Sequence, residues 1–271
     1  MRQPRRRFFE EEETSTGILQ PCCHCWFSLS QPRPARVELT TLLLFALIAG
    51  GILAFVAIAE DVTEGETRAF DQRVLLALRN PEHPERAWGP IWLNEAGRDV
   101  SALGSAVVLA LLTAAVVGFL FLQHRRRLAL LMLAAVVSGT VLETTLKEVF
   151  ARARPELVPL GAAASTYSFP SGHSMMSAIV YLSLAALLAR ALPTRGLKAY
   201  VLALAMAVSV LVGISRVYLA VHWPTDVLAG WAAGAVWAIL WWLLANWLER
   251  RWRAGESNGE QRSERPESEQ T

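Results

Sequence analysis

The sequence predicts an all-α polytopic membrane protein, a six-transmembrane-helix bundle carrying a polar site at its extracytoplasmic face. Three observations predict it. Apolar residues make up 53% of the 271-residue chain. They gather in long blocks, whereas a soluble core shows short periodic runs. Three polar clusters interrupt the blocks at positions that an up-and-down topology brings to one face. A hydrocarbon core of about 30 Å needs roughly 20 apolar residues per helix, and six stretches meet that requirement: Leu39–Ala59, Ser101–Leu122, Leu128–Leu146, Ser174–Leu192, Ala199–Leu219 and Val227–Leu248.

Residues 1–36 mix an arginine cluster, the Glu10–Glu13 run and several prolines, with too little apolar surface to offset the entropy of ordering them, so a disordered cytoplasmic tail is expected. The first apolar block follows this long polar segment and lacks a small-residue cleavage site, so it reads as a retained helix and not a secretory signal. Residues 37–250 form a single membrane domain, and residues 251–271 are expected to be a second disordered tail. Within the domain, 60–100 is a candidate extracytoplasmic cap. Phe70, Val74, Leu75 and Leu78 recur there at helical spacing, and Trp88 and Trp92 suit a membrane interface.

Six spans place both termini on one side. Seventeen of the 26 Lys and Arg residues fall on that side and nine on the other, so the positive-inside rule puts the termini in the cytoplasm. The net charge of +2 comes from basic residues scattered among acids, which gives no basis for a nucleic-acid partner. Cys22, Cys23 and Cys25, the whole cysteine complement, sit with His24 in the N-terminal tail. Four nearly adjacent residues wrap a zinc tetrahedron poorly, and with no other cysteine the outer loops have no disulfide framework.

The first cluster, Lys147 to Pro155, ends the third span. The second, Phe169-Pro170-Ser171-Gly172-His173, opens the fourth. The third, Ser215 to Asp226, joins the fifth to the sixth. Each has an ordinary reading by itself: cations snorkel at span ends, Pro-Ser-Gly forms turns, and a histidine near a helix start is commonly structural. Two histidines and three cations beside a helix-start Ser-Gly at one membrane face are not predicted by snorkelling.

Together they describe a phosphate site. Ser171 and Gly172 put free backbone N–H groups and a positive helix end towards an anion. Lys147, Arg154 and Arg216 supply fixed positive charge where phosphoryl oxygens gather it. Asp226 lies four residues beyond His222, a spacing that lets a carboxylate fix one imidazole nitrogen and leave the other to attack phosphorus. His173 remains for proton transfer. Histidines flanked by cations bind a divalent ion poorly and no compact carboxylate cluster accompanies them, so neither a metal nor another cofactor is expected. Glu143, one turn before Lys147, is an ionisable residue within a span; its spacing favours an ion pair with that lysine over a place near the substrate path.

The three clusters resemble the signature of the type 2 phosphatidic acid phosphatase superfamily, Lys-x6-Arg-Pro, Pro-Ser-Gly-His and Ser-Arg-x5-His-x3-Asp, with every fixed position matched and the order and spacing intact. The resemblance covers residues 37–250. It implies His222 as nucleophile, Asp226 as its orienting group and His173 as acid and base. It also implies phosphate binding by Lys147, Arg154, Ser171, Gly172, Ser215 and Arg216; Arg152, in the variable part of the first motif, receives no catalytic role from it. The expected reaction is metal-independent hydrolysis of a membrane lipid phosphate or diphosphate, with polyprenyl diphosphate, phosphatidic acid and phosphatidylglycerol phosphate as candidate substrates. Phosphotransfer to another lipid would use the same residues. A lipid transporter would require charges near the bilayer midplane, and the vanadium haloperoxidases that share the superfamily's pocket are soluble. Gly230-x3-Gly234 is a small-x3-small pattern expected to pack helices within the chain, leaving the oligomeric state open.

Overall fold

The computed structural model describes residues 34–156 and 167–263. The cysteine cluster and most of the expected N-terminal tail lie outside the described residues. Among the described residues, eight helices follow one another: α1 (Pro34–Glu64), α2 (Arg68–Ala77), α3 (Ile91–Ala102), α4 (Ala106–Leu122), α5 (Arg126–Phe150), α6 (Gly172–Ala191), α7 (Arg195–Tyr218) and α8 (Pro224–Ser263). Among the described residues, α1, α5, α6, α7 and α8 are long and apolar enough to cross a bilayer alone, and α3 with α4 makes a sixth span as one bent pair. The all-α, multi-pass fold expected from the apolar blocks is therefore observed.

The second span departs from its expected form. A continuous helix over Ser101–Leu122 is replaced by α3 and α4, which meet at 44°. Ser105 caps the new helix start, its hydroxyl accepting from Val108 N–H at 3.3 Å. The bend lets Gly104 sit against α6 and α7: a Cβ there would lie 2.4 Å from Val212 and 3.3 Å from the His173 Cβ. α1 begins before Leu39 and extends past Ala59 to Glu64, and α8 continues beyond Leu248 to Ser263. Residues 249–263 are rich in Glu and Arg, good helix formers that extend a helix already nucleated in the membrane.

Helix α6 is the axis of the bundle, packed against α7 on one side and α8 on the other, with α1 along α8 and α4 along α5. Close contact between α6 and α8 depends on small residues: a Cβ at Gly230 would lie 2.8 Å from the Ser171 carbonyl oxygen, and one at Gly234 would lie 2.5 Å from that of Met175. The small-x3-small pattern thus packs within the chain. By contrast α1 turns Leu42, Leu43, Phe45 and Leu53 outward, as a lipid-facing helix does, and buries a stripe of Phe55, Ile58, Ala59 and Val62 against Phe150, Phe169 and Ala229.

The cap segment folds as α2 and α3. Leu75 of α2 is fully buried in a cluster with Val217, Ala220 and Val227, so α2 lies across the end of α7 and the start of α8. The Arg79 guanidinium donates to the Tyr218 carbonyl at the end of α7, and the Tyr218 hydroxyl donates to the Trp88 carbonyl at 2.9 Å. Trp88 and Trp92 remain largely exposed.

Candidate active site

The antiparallel course of α5 to α8 brings all three motifs to one end of the bundle, under the cap. α5 ends there at Ala151, whose left-handed φ of 44° stops the helix while its N–H bonds back to the Lys147 carbonyl at 2.9 Å. The chain turns immediately after the helix, which sends Arg152 and Arg154 inward over the start of α8. α6 begins there behind Ser171, α7 ends there at Tyr218, and Pro224 opens α8 with its fixed φ and missing N–H, both suited to a first helical position.

His222 occupies the loop between α7 and α8 and is only 1% exposed. Its Nε2 lies 3.1 Å from Arg154 Nη1, and its Nδ1 lies 3.5 Å from Asp226 Oδ2. A guanidinium only donates, so Nε2 is the acceptor and the neutral ring carries its proton on Nδ1, facing Asp226. The Nδ1 contact is an electrostatic approach without hydrogen-bond geometry, since that atom has no hydrogen-bond partner in the protein. Burial is the largest influence on the ring and lowers its pKa to about 4; Asp226 opposes the shift, while Arg154 and Arg216 add to it. His222 is thus a neutral base with an acceptor nitrogen held among cations. Arg154 is itself shifted downward, chiefly by burial, with Asp226 and Glu143 opposing.

Asp226 is completely buried and fully engaged. Oδ2 accepts from Trp223 N–H at 2.9 Å, closing the first turn of α8, and Oδ1 accepts from Arg152 Nη1 at 2.6 Å. Its backbone carbonyl accepts from Ser171 N–H at 2.9 Å, tying the start of α8 to the start of α6. The N–H of Ser171 is therefore already committed, which corrects the expectation that it points at an anion. The helical ladder of α6 begins with Met175 N–H on the Ser171 carbonyl, so the groups that precede it, on Gly172, His173 and Ser174, are those that a helix N-terminus offers an anion.

Lys147 pairs with Glu143 at 2.6 Å, as the spacing predicts. A Cβ on Gly172 would lie 2.2 Å from Glu143 Oε1 and 3.2 Å from Lys147 Nζ, so the start of α6 meets this pair directly. Arg216 is held by the Ser101 hydroxyl at 2.7 Å. His173 lies within electrostatic range of His222, Lys147, Arg154 and Arg216. The start of α6 thus meets the cations of the other two motifs, and besides the committed Ser171 N–H there is a second difference from the expected site: the Ser215 hydroxyl donates to the Val212 carbonyl at 2.6 Å within its own helix. Among the described residues, no group of three or more His, Cys, Asp or Glu side chains could hold a metal ion; the buried carboxylates nearest His222 face an arginine.

Residues outside the motif positions complete the arrangement. Arg152 reaches Asp226, Thr225 (2.9 Å), Asp71 (2.7 Å) and Thr67 (3.2 Å). Asp71, on α2, is fully buried. Ser101, on α3, orients Arg216.

Fold and site together define a multi-pass helical membrane protein with a histidine and cation cluster at one end of its bundle. The PAP2 superfamily matches residues 127–250, a segment that holds all three motifs. Phosphatidylglycerophosphatase B of Bacillus subtilis (strain 168) is 41% identical over 144 residues, 53% of this chain and 70% of that protein. An undecaprenyl-diphosphatase of Sulfolobus acidocaldarius is 32% identical over 121 residues, 43% of this chain and 54% of its own length. The crystal structure of a transmembrane PAP2 type phosphatidylglycerolphosphate phosphatase from Bacillus subtilis is similar with a TM-score of 0.63 at 32% identity, covering 75% of this chain and 96% of that one. The chain belongs to the PAP2 superfamily.

Proposed function

We propose that this membrane phosphatase hydrolyses a lipid phosphate through a covalent phosphohistidine at His222, with phosphatidylglycerol phosphate as first candidate substrate and undecaprenyl diphosphate as second. The substrate ranking follows the names of the two relatives and their extent of similarity. The observation that carries the mechanism is the orientation of the buried imidazole, with Nε2 an acceptor and Nδ1 towards Asp226.

The substrate phosphate would draw Arg154 from Nε2 to its own oxygens, uncovering the lone pair in the same movement that binds the substrate. Lys147, Arg216 and the N–H groups at the start of α6 receive the remaining oxygens, where charge accumulates in phosphoryl transfer. Nε2 then forms the N–P bond as the P–O bond to the lipid breaks, and protonated His173 gives its proton to the departing oxygen. The phosphorylated ring keeps its Nδ1 proton and becomes cationic beside Asp226. In the second step His173 takes a proton from water, the resulting hydroxide attacks phosphorus, and the N–P bond breaks to return neutral His222 with inorganic phosphate. The incoming phosphate dianion offsets the surrounding cations, which is what lets His173 carry its proton when the substrate is bound.

The site end of the bundle is proposed to face away from the cytoplasm, because the arginine-bearing loops at Arg125–Arg127 and Arg190–Lys198, with the start of α1 and the end of α8, lie at the other end. There the lipid tail stays in hydrocarbon while its headgroup enters between the helices.

The test compares wild type with His222→Ala in detergent and excess chelator, on phosphatidylglycerol phosphate and undecaprenyl diphosphate. Release in the wild type that falls at least ~10³-fold in the variant is the expected result. Full release by the variant refutes the phosphohistidine, and chelator-sensitive release refutes a metal-independent reaction. A short-chain substrate added outside sealed cells and hydrolysed there fixes the side.

A further inference from the structure

Two buried carboxylates share one arginine beneath the site. Arg152 donates through Nη1 to Asp226 Oδ1 at 2.6 Å and through Nη2 to Asp71 Oδ2 at 2.7 Å. Both carboxylates are 0% exposed and the guanidinium side chain is 13% exposed. Asp71 does more than pair. Its Oδ1 accepts from Thr225 N–H at 3.0 Å and its Oδ2 from the Thr225 hydroxyl at 2.7 Å. Pro224 has no N–H, so Thr225 supplies the first orphan donor of α8, and Asp71 caps that helix from a different element of the fold. The Thr225 hydroxyl also accepts from Arg152 Nη1 at 2.9 Å, and Thr67, just before α2, accepts from Nη2 at 3.2 Å.

The charges explain why a second carboxylate is useful. A lone Arg152–Asp226 pair would be neutral, and Asp226 would have little field left for the imidazolium formed when His222 is phosphorylated at Nε2. With Asp71 the group of three carries a net charge of −1: Arg152 is shared between the two carboxylates, and part of the Asp226 charge remains available to the His222 Nδ1 proton. We propose that Asp71 is a positioning residue of the reaction: from the cap it shares the charge of Arg152 and holds the first turn of α8, so that Asp226 faces His222 with a net negative charge behind it. The cap is then part of the catalytic apparatus and not only a cover over it. This rests on the phosphohistidine reading above.

The ordinary alternative is that Asp71 merely fastens α2 to the bundle. Lipid phosphate hydrolysis by Asp71→Asn, Arg152→Gln and the double variant separates the two, with melting of each protein in detergent as a check on folding. The charge account expects Asp71→Asn to lose kcat by at least ~10-fold with KM within about twofold, because the charge of Arg152 then falls on Asp226 alone. It also expects the double variant to regain at least ~3-fold over Asp71→Asn, since the stray cation is gone. A fastening role expects the double variant to be no better than the worse single one, and that result overturns the proposal. If Asp71→Asn does not fold, the double variant decides alone: kcat within about tenfold of wild type supports the charge account, and loss to the level of Asp226→Asn refutes it. His222→Ala distinguishes the two layers of inference. An inert His222→Ala with an unaltered Asp71→Asn leaves the phosphohistidine standing and removes the role of Asp71, whereas an active His222→Ala removes the mechanism on which both depend.

Discussion

The two ends of the bundle each hold an arginine paired with a carboxylate, and the pairs differ in everything but their chemistry. At the site end, Arg152 and Asp226 are 13% and 0% exposed, and each has a further partner, Asp71 of α2 for the arginine and the Trp223 N–H for the carboxylate. At the opposite end, Arg190 of α6 and Glu249 of α8 are 28% and 23% exposed, with Asn246 sharing the arginine. They border a basic cavity of about 670 Å³ lined by His124, Arg125, Arg126, Arg127, Arg190, Glu249 and Trp252. Water can solvate the second pair if it breaks, but the first has only its protein partners. A buried charge deprived of its partner costs about 3–5 kcal/mol, and an exposed pair contributes roughly 0–1 kcal/mol. Ion pairing therefore organises the site end and only decorates the other.

Asp226→Asn gives the contrast its largest expression. The amide keeps the size of the side chain but removes the charge facing His222 Nδ1 and lets the ring adopt the wrong tautomer. A loss in kcat of about 10³-fold is expected, by the general weight of an orienting carboxylate beside a catalytic histidine. Folding suffers less than the full cost of an orphaned arginine because Asp71 still answers Arg152. Phosphate release measured alongside melting would break the comparison if activity stayed within tenfold of wild type.

The acid limb of activity gives a second, smaller effect. Burial lowers the His222 pKa to about 4, against the opposing influence of Asp226. A depressed folded value means that the ring stays neutral, and Nε2 available, as pH falls through the ordinary histidine range near 6.5. The enzyme's own limb in kcat/KM is expected near pH 4, once the substrate phosphate's ionisation near about pH 6 is factored out. The stability linked to this group is complete above about pH 6.5 and drains away as pH falls from there towards 4, because the unfolded chain takes up the proton first. An enzyme limb remaining near pH 6.5 would mean that His222 is solvated, and the ends would then differ less than their burial implies.

How far this could be read from the sequence differs within the site itself. Lys147, Arg154, Ser171, Gly172, His173, Arg216, His222 and Asp226 stand in fixed spacings at span ends, so topology alone brings them together. Asp71 stands in no motif. Its signal was a charge in an apolar stripe: Asp71, Leu75 and Leu78 share a helical face, and the structure buries Asp71 and Leu75 while leaving Phe70 exposed. Phe70 extends the apolar pattern without joining the buried face, which masks the carboxylate that the fold buries. Arg152 was legible as a cation but not as a link, because its partners lie 74 and 81 residues away. The break between α3 and α4 is not legible in the sequence for a related reason. Hydropathy sees Ser101–Leu122 as one block, but the bend answers a tertiary demand for close approach between Gly104 and Val212.

Glu249→Gln is the smallest expected effect and the control on the whole comparison. The substitution removes the charge opposite Arg190 without changing the length of the side chain, and Asn246 still accepts from Arg190 at 2.7 Å. Both partners are partly solvated, so the loss is expected to stay below about 1 kcal/mol and to shrink further in salt. Activity should remain within about twofold of wild type, because no residue of the three motifs contacts this pair in the described structure and a loss of this size leaves the protein folded. A melting shift comparable to that of Asp226→Asn, or a fall in kcat without one, would show that the end of α8 is coupled to its start along the helix, and burial would no longer account for the difference between the two pairs.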